Sequence, residues 1–329
     1  QLELFMTGVP YTTGSELDVV MMLDQSTSMD SDRISATVAA AKAFINSIVI
    51  NEDGTYNDNR IYVGYFNGDK TYDITDSANI GGDLATIDSK TELDALFADI
   101  DDEFDGSPSS TGTNYAVSLK KCYDRLNTAK TDGIGNDRQQ FCLFMSDGVP
   151  TDYQSAASTT IETSSIQGMF TGTSYNTRDT DYKYEYYSTQ MKTNGVTVYT
   201  VGLGLNAKNS AWNGKTATQC LNAASILLND ISGPAKETTK DTGTALNKKD
   251  SYFFSVEDAD AATEMANVFK NIAQKILQAA TDVTVEDKIT DEYTMIFDIP
   301  EGSKGITGVT NDFYIEFVKY TLDSTTHER

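Results

Sequence analysis

Histidine is almost missing from these 329 residues; the sole one is His327, close to the end. Imidazole-based acid and base chemistry therefore has no residue to use in the body of the chain. Cysteine is scarce as well. Cys122, Cys142 and Cys220 are widely spaced and form no C-x-x-C, so neither zinc ligation nor a disulfide framework is indicated, and all three are expected to be free thiols. Positive charge is in short supply: 25 Lys and Arg face 49 Asp and Glu, a formal net charge of −24. Such a balance repels phosphate backbones and anionic lipid heads, which argues against nucleic-acid and membrane-surface partners, and it favours cations; plain solubility explains it equally well. No Asn-x-Ser/Thr acceptor occurs and no apolar run approaches spanning length, so no glycan and no membrane insertion by this segment are expected. Nucleophile and base pairs are absent too. Ser118-Leu119-Lys120-Lys121 fits S-x-x-K, but it lies in a helical pattern without its companion motifs, and the chain is expected not to be an enzyme. It starts without a signal peptide and ends without an anchor, so a portion of a longer protein is expected.

What is present begins at Asp18. The apolar run Val19 to Leu23 leads into Asp24-Gln25-Ser26-Thr27-Ser28, so a buried strand delivers one carboxylate and two hydroxyls into a single loop. Oxygens at alternate positions of a curled loop can converge on one hard cation. Because only Asp24 in this D-x-S-x-S is charged, an ion held there would keep much of its positive charge. A competing reading is that Ser26, Thr27 and Ser28 only cap the following helix. Two further stretches resemble the first in kind. Gly112-Thr113-Asn114 opens a helical pattern, and Phe141 to Met145 is an apolar strand followed by Ser146-Asp147-Gly148. Each places an oxygen at a strand or helix end.

With these three parts in this order the chain resembles the von Willebrand factor type A family, whose metal-ion-dependent adhesion site combines D-x-S-x-S, a distant Thr, and an Asp in a (T/S)-D-G turn. The resemblance covers roughly residues 17 to 280. It implies that Asp24, Ser26, Ser28 and Thr113 ligate a divalent cation, Mg²⁺ foremost with Mn²⁺ or Ca²⁺ as substitutes, and that Asp147 stands in or just behind the ligand shell. Many members read x-S-G where this chain has Gln25-Ser26-Thr27; Thr27 is not a ligand position, so a stiffer loop with an intact site is expected.

The rest of the pattern is α/β. Ile34, Val38, Ala41, Phe44, Ile45 and Ile48 recur at helical spacing. Residues 61–66 read as the next strand and 70–75 as its antiparallel edge partner. Residues 91–100 form a helix, and the acidic run Asp99 to Asp105 lacks the spacing of a calcium loop and reads as a solvated helix end. Helices follow at 115–126, 182–193, 216–231 and 259–280, with strands at 196–201 and 252–256. Gly202-Leu203-Gly204 follows a strand but lacks the third glycine of a dinucleotide fingerprint. Alternation of strands and helices predicts a doubly wound, mostly parallel sheet with helices on both faces, Rossmann-like in plan, over residues 14–281. The Ser/Thr-rich stretch 153–181 exceeds ordinary connections and leaves from the strand end that carries Asp147, so it is a candidate partner-binding loop, with Tyr153, Tyr175, Arg178 and Tyr182 as its candidate contacts.

Beyond residue 281 three strand-like runs are separated by Pro300, Gly302, Gly305 and Gly308. The exit A-A-T-D followed by V-T-V resembles that of type A domains in Gram-positive surface and pilus-tip adhesins, where the domain is inserted into an immunoglobulin-like one. That resemblance implies that residues 1–13 supply a strand to a small flanking all-β portion completed by residues 282–329. It also implies an extracellular module on a bacterial surface, cell wall or pilus, binding through its cation a carboxylate of a host extracellular-matrix, cell-surface or neighbouring protein. The alternatives are an intracellular, chelatase-like regulatory subunit and a structural pilus subunit.

Overall fold

In the structure, a computed structural model, the described residues are 16–68, 71–77, 84–105, 112–132, 138–148, 150, 186–205, 217–234, 252–257 and 261–280, together with the backbone of four two-residue strands between 153 and 175. The chain divides into two compact units, Gln1–Val283 and Thr284–Arg329. All described residues lie in the first, and the expected β-forming flanks, 1–13 and 282–329, lie outside them.

The architecture starts from β1 (Leu17–Asp24), buried at all eight positions. A strand in the middle of a parallel sheet must be apolar on both faces because helices cover both. Alternate side chains therefore serve different cores. Leu17, Val19, Met21 and Leu23 pack with α1 (Ser31–Val49), while Val20 and Met22 join Tyr62 and Phe66 in a second cluster. β2 (Arg60–Phe66) pairs parallel to β1, and β3 (Thr71–Asp73) returns antiparallel along β2. The expected edge strand stops there, because Ile74 is buried and starts a short helix, α2 (Ile74–Ser77). β4 (Ala85–Thr86) also pairs with β2, and α3 (Lys90–Glu103) carries the acidic run, with Asp101, Asp102, Glu103 and Asp105 exposed.

α4 (Tyr115–Thr131) leads to β5 (Gln139–Ser146), which pairs with β1 on the side away from β2. Ser118 is buried in α4 and donates its hydroxyl to Asn114 O at 2.7 Å, a helix back-bond. The stretch expected as a loop contains β6 (Tyr153–Gln154) paired with β7 (Ile161–Glu162), and β8 (Phe170–Thr171) paired with β9 (Ser174–Tyr175). Then come α5 (Tyr186–Thr193), β10 (Thr197–Leu203), α6 (Ala217–Ile231), β11 (Phe253–Val256) and α7 (Ala261–Ala280).

The seven-stranded sheet runs β11-β10-β5-β1-β2-β3, with β4 also on β2. The first core lies under α1, α3 and α7 and the second under α4, α5 and α6, so the sheet is doubly wound. Cys122 and Cys142 are buried free thiols in the second core, and burial pushes the Cys122 thiol well up. At the start of β1, Asp18 is gripped by Arg60 Nε at 2.7 Å and Arg138 Nε at 2.8 Å.

Close to the other end of β1, Phe66 stacks on Phe144 with centroids 5.1 Å apart, and Tyr115 meets Phe144 edge-on at 5.0 Å. This aromatic cluster joins β2, β5 and α4 just below their loop ends. Phe144→Ala is expected to destabilise the protein by about 3–5 kcal/mol, read from denaturant unfolding, because a buried aromatic leaves a cavity between sheet and helix.

Candidate metal centre

β1 has β2 on one side and β5 on the other, so the chain winds outward in both directions from the same strand. In such sheets the loops at the carboxyl ends diverge and leave a crevice. Asp24 and Ser146 are the last residues of the two central strands that flank it.

Asp24 is fully buried. Its Oδ1 accepts the Ser26 amide at 2.7 Å, and its Oδ2 accepts the Ser146 hydroxyl at 2.5 Å. The amide of Gln25 donates to Phe66 O at 2.8 Å and that of Met29 to Ser26 O at 3.0 Å, which curls the loop back across the end of β2. Ser26 Oγ and Ser28 Oγ are 3.0 Å apart, and the Ser28 hydroxyl donates to Asp147 Oδ1 at 2.7 Å. Thr27 points into solvent. The capping alternative for these hydroxyls fails, because Asp30 is the N-cap of α1 and accepts the Arg33 amide at 3.0 Å. Ser26 and Ser28 are thereby left to face each other and Asp147.

Thr113 is buried and follows Gly112, whose φ of 97° lies in the left-handed region that glycine favours. Asn114 caps α4 through Val117 N and donates its own amide to Asn67 O at 3.2 Å, just past β2. These bonds hold Thr113 at the same sheet edge as Asp24. Asp147 is buried; its Oδ2 accepts Arg33 Nη1 at 2.6 Å, and Arg33 Nη2 donates to Gly204 O at 3.1 Å.

The two carboxylates differ in their surroundings. Burial, with the nearby charge of Asp147, pushes Asp24 up to about 7 against the hydrogen bonds from Ser146 and Ser26. Asp147 is raised by burial too, but Ser28 and Arg33 oppose the rise. Asp147 therefore has a cationic partner, whereas Asp24 has none among the described residues. A buried carboxylate without a counter-charge, surrounded by hydroxyl oxygens, fits a hard divalent cation. Among the described residues no three His, Cys, Asp or Glu side chains gather around one point. The donor set is instead two carboxylates and the hydroxyls of Ser26, Ser28 and Thr113.

Two contributors escaped the sequence reading. Ser146 was visible only as the neighbour of Asp147. Arg33 left a faint signal: a cation in the first turn of a helix opposes the helix dipole and needs an acid to hold it. The side chains of Tyr153 and Tyr175, and all of Arg178 and Tyr182, lie outside the described residues.

Asp24→Asn keeps both hydrogen-bond partners, since its amide can accept from Ser26 N and donate to Ser146 Oγ. It removes a buried charge, so the metal-free domain is expected to gain about 1–3 kcal/mol at neutral pH, measured by urea unfolding. Mg²⁺ should stabilise the original protein and not the variant.

No family model matches the sequence, and no curated protein sequence does either. Among solved structures the chain is similar to the pilus adhesin SpaC from Lactobacillus rhamnosus GG in its open conformation, with a TM-score of 0.52 and 18% identity, covering 81% of this chain and 30% of SpaC. It is also similar to proximal thread matrix protein 1 from the mussel byssus (TM-score 0.46, 14% identity, 79% and 49% covered). A third such structure is GBS104, an adhesive tip pilin from Group B Streptococcus agalactiae (TM-score 0.45, 14% identity, 80% and 100% covered). The chain thus spans less than a third of SpaC and about half of the byssus protein. At such identities the likeness is one of fold. In its described residues between 17 and 280 the chain has the doubly wound α/β fold that the resemblance to the von Willebrand factor type A family implies.

Proposed function

We propose that this chain is a metal-dependent adhesion module of an extracellular bacterial surface or pilus-tip protein. The observation that carries the reading is the oxygen cradle at the switch point: Asp24, Ser26, Ser28 and Asp147 linked by hydrogen bonds, with Thr113 at the same edge. Asp24, Ser26, Ser28 and Thr113 would hold a divalent cation, Mg²⁺ foremost and Mn²⁺ or Ca²⁺ in its place, with Asp147 directly on it or behind Ser28. Such an ion supplies a Lewis-acidic position for a carboxylate oxygen of another protein.

The residues divide the work. Asp24 supplies negative charge from the protein interior, and Ser146 fixes its orientation. The serine and threonine hydroxyls would hold the ion without adding charge, which would preserve its pull on an outside anion. Exposure of Ser28 leaves the cradle open toward solvent on that side. The fold likeness to a pilus adhesin supports an adhesive role, and the net charge of −24 supports a protein partner over nucleic acid. An acidic side chain of a host extracellular-matrix, cell-surface or neighbouring pilus protein is the chemistry that fits.

Calorimetric titration of Mg²⁺ into the metal-free protein should show one site, lost in Asp24→Ala. Binding to immobilised matrix proteins should be abolished by EDTA, and Thr113→Ala should weaken it about tenfold or more with little effect on folding. Adhesion that survives both EDTA and Thr113→Ala would refute the mechanism.

A further inference from the structure

Arg33 is a charged side chain placed where a helix core-facing residue belongs. It is 2% exposed, the Asp147 side chain it grips is 0% exposed, and the two meet at 2.6 Å. Its other nitrogen holds Gly204 O at 3.1 Å, so one guanidinium ties α1, the loop after β5 and the loop after β10 together. The helix dipole disfavours a cation in the first turn. On its opposite oxygen, Asp147 takes the hydroxyl of Ser28, a member of the cradle. Arg33 therefore acts on the cradle through Asp147 without belonging to it.

We propose that Arg33 is a built-in counter-cation that sets the charge of the cradle: it neutralises Asp147, weakens the hold on the divalent ion, and thereby strengthens attraction for an anionic partner. The inference rests on the metal-dependent reading above. Two free carboxylates would cancel a divalent cation outright. With Arg33 locked to one of them, the loaded site keeps one unit of positive charge, buried on the protein side and available only to a group arriving from solvent. The same guanidinium would repel an incoming cation, since like charges close together in a poorly solvated site raise each other's energy. The arrangement trades affinity for the ion against affinity for a carboxylate, so the two should move in opposite directions when Arg33 is changed. A merely structural arginine would move both the same way.

The test uses Mn²⁺ alone as metal probe and acetate as the model carboxylate, on the full chain. Arg33→Gln should bind Mn²⁺ about tenfold or more tightly than the original protein by calorimetry. Paramagnetic relaxation of acetate protons at saturating Mn²⁺ should show acetate binding weakened severalfold. Arg33→Lys keeps the charge and should restore both values toward the original. Metal-free Arg33→Gln should melt lower than the original, and Mn²⁺ should raise its melting temperature by more. Equal or weaker Mn²⁺ binding in Arg33→Gln, or unchanged acetate binding, would overturn the role of Arg33 while leaving the metal site standing. A variant that stays unfolded in excess Mn²⁺ counts against it as well, because the ion should stand in for the lost guanidinium beside Asp147. An original protein that takes up no Mn²⁺ would instead overturn the metal-dependent reading itself.

Discussion

The parallel pairing of β1 with β2 on one side and β5 on the other is the constraint on which everything else hangs. That register sets Asp24 opposite Phe66 and Leu23 opposite Met145, so the last residues of three strands finish in one row. Hydrogen bonds within a parallel ladder leave little freedom to slip, because a shift by one residue would turn each apolar side chain toward the wrong helical layer. Both cores enforce the register from opposite faces. The loops that follow these strands therefore start from fixed points, and the hydroxyls and carboxylates in them inherit that precision; Cys122 and Cys142 beneath them are free thiols.

Electrostatics then distinguishes the two ends of β1. Asp18 at its start is held by two guanidinium groups, those of Arg60 and Arg138, and its charge is answered within the fold. Among the described residues, Asp24 at its end is answered by dipoles alone: one amide and one hydroxyl. The same residue type, six positions along the same strand, is thus a closed structural ion pair in one place and an open demand for positive charge in the other. The aromatic cluster of Phe66, Phe144 and Tyr115 beneath the site keeps the floor rigid and poorly hydrated, which sharpens that demand.

Most of the scaffold was legible in the sequence because its signals are local. β1 and β5 announce themselves as apolar runs ended by an acid, and α1 by Ile34, Val38, Ala41, Phe44, Ile45 and Ile48 on one face, all of them buried but Val38, which is half-buried. The helix at the acidic run and the mid-helix Ser118 were likewise readable from spacing. What sequence could not carry was pairing across distance. The Arg33–Asp147 bond joins residues 114 apart, and a lone arginine near a helix start says nothing about which acid it meets. Ile74 shows the other kind of failure: a residue suited to an edge strand is buried by starting a helix, a choice made by the surrounding core. Sequence offered Ser26, Thr27 and Ser28 as caps of α1, whereas the structure gives that role to Asp30.

One quiet contact has a mechanical meaning. Gln139, at the start of β5, receives both ends of the described fold: its amide donates to Glu16 O at 2.9 Å, beside the entry into β1, and its side chain donates to Ala279 O at 3.1 Å, at the exit of α7. Entry and exit therefore lie together at the pole opposite the cradle. Tension transmitted along the chain would enter and leave through this one corner, loading a few hydrogen bonds there in parallel with the ladder of β1. The strand ends that carry Asp24 and Asp147 stand outside the line of force, so a load borne through the two flanks would pass the cradle by.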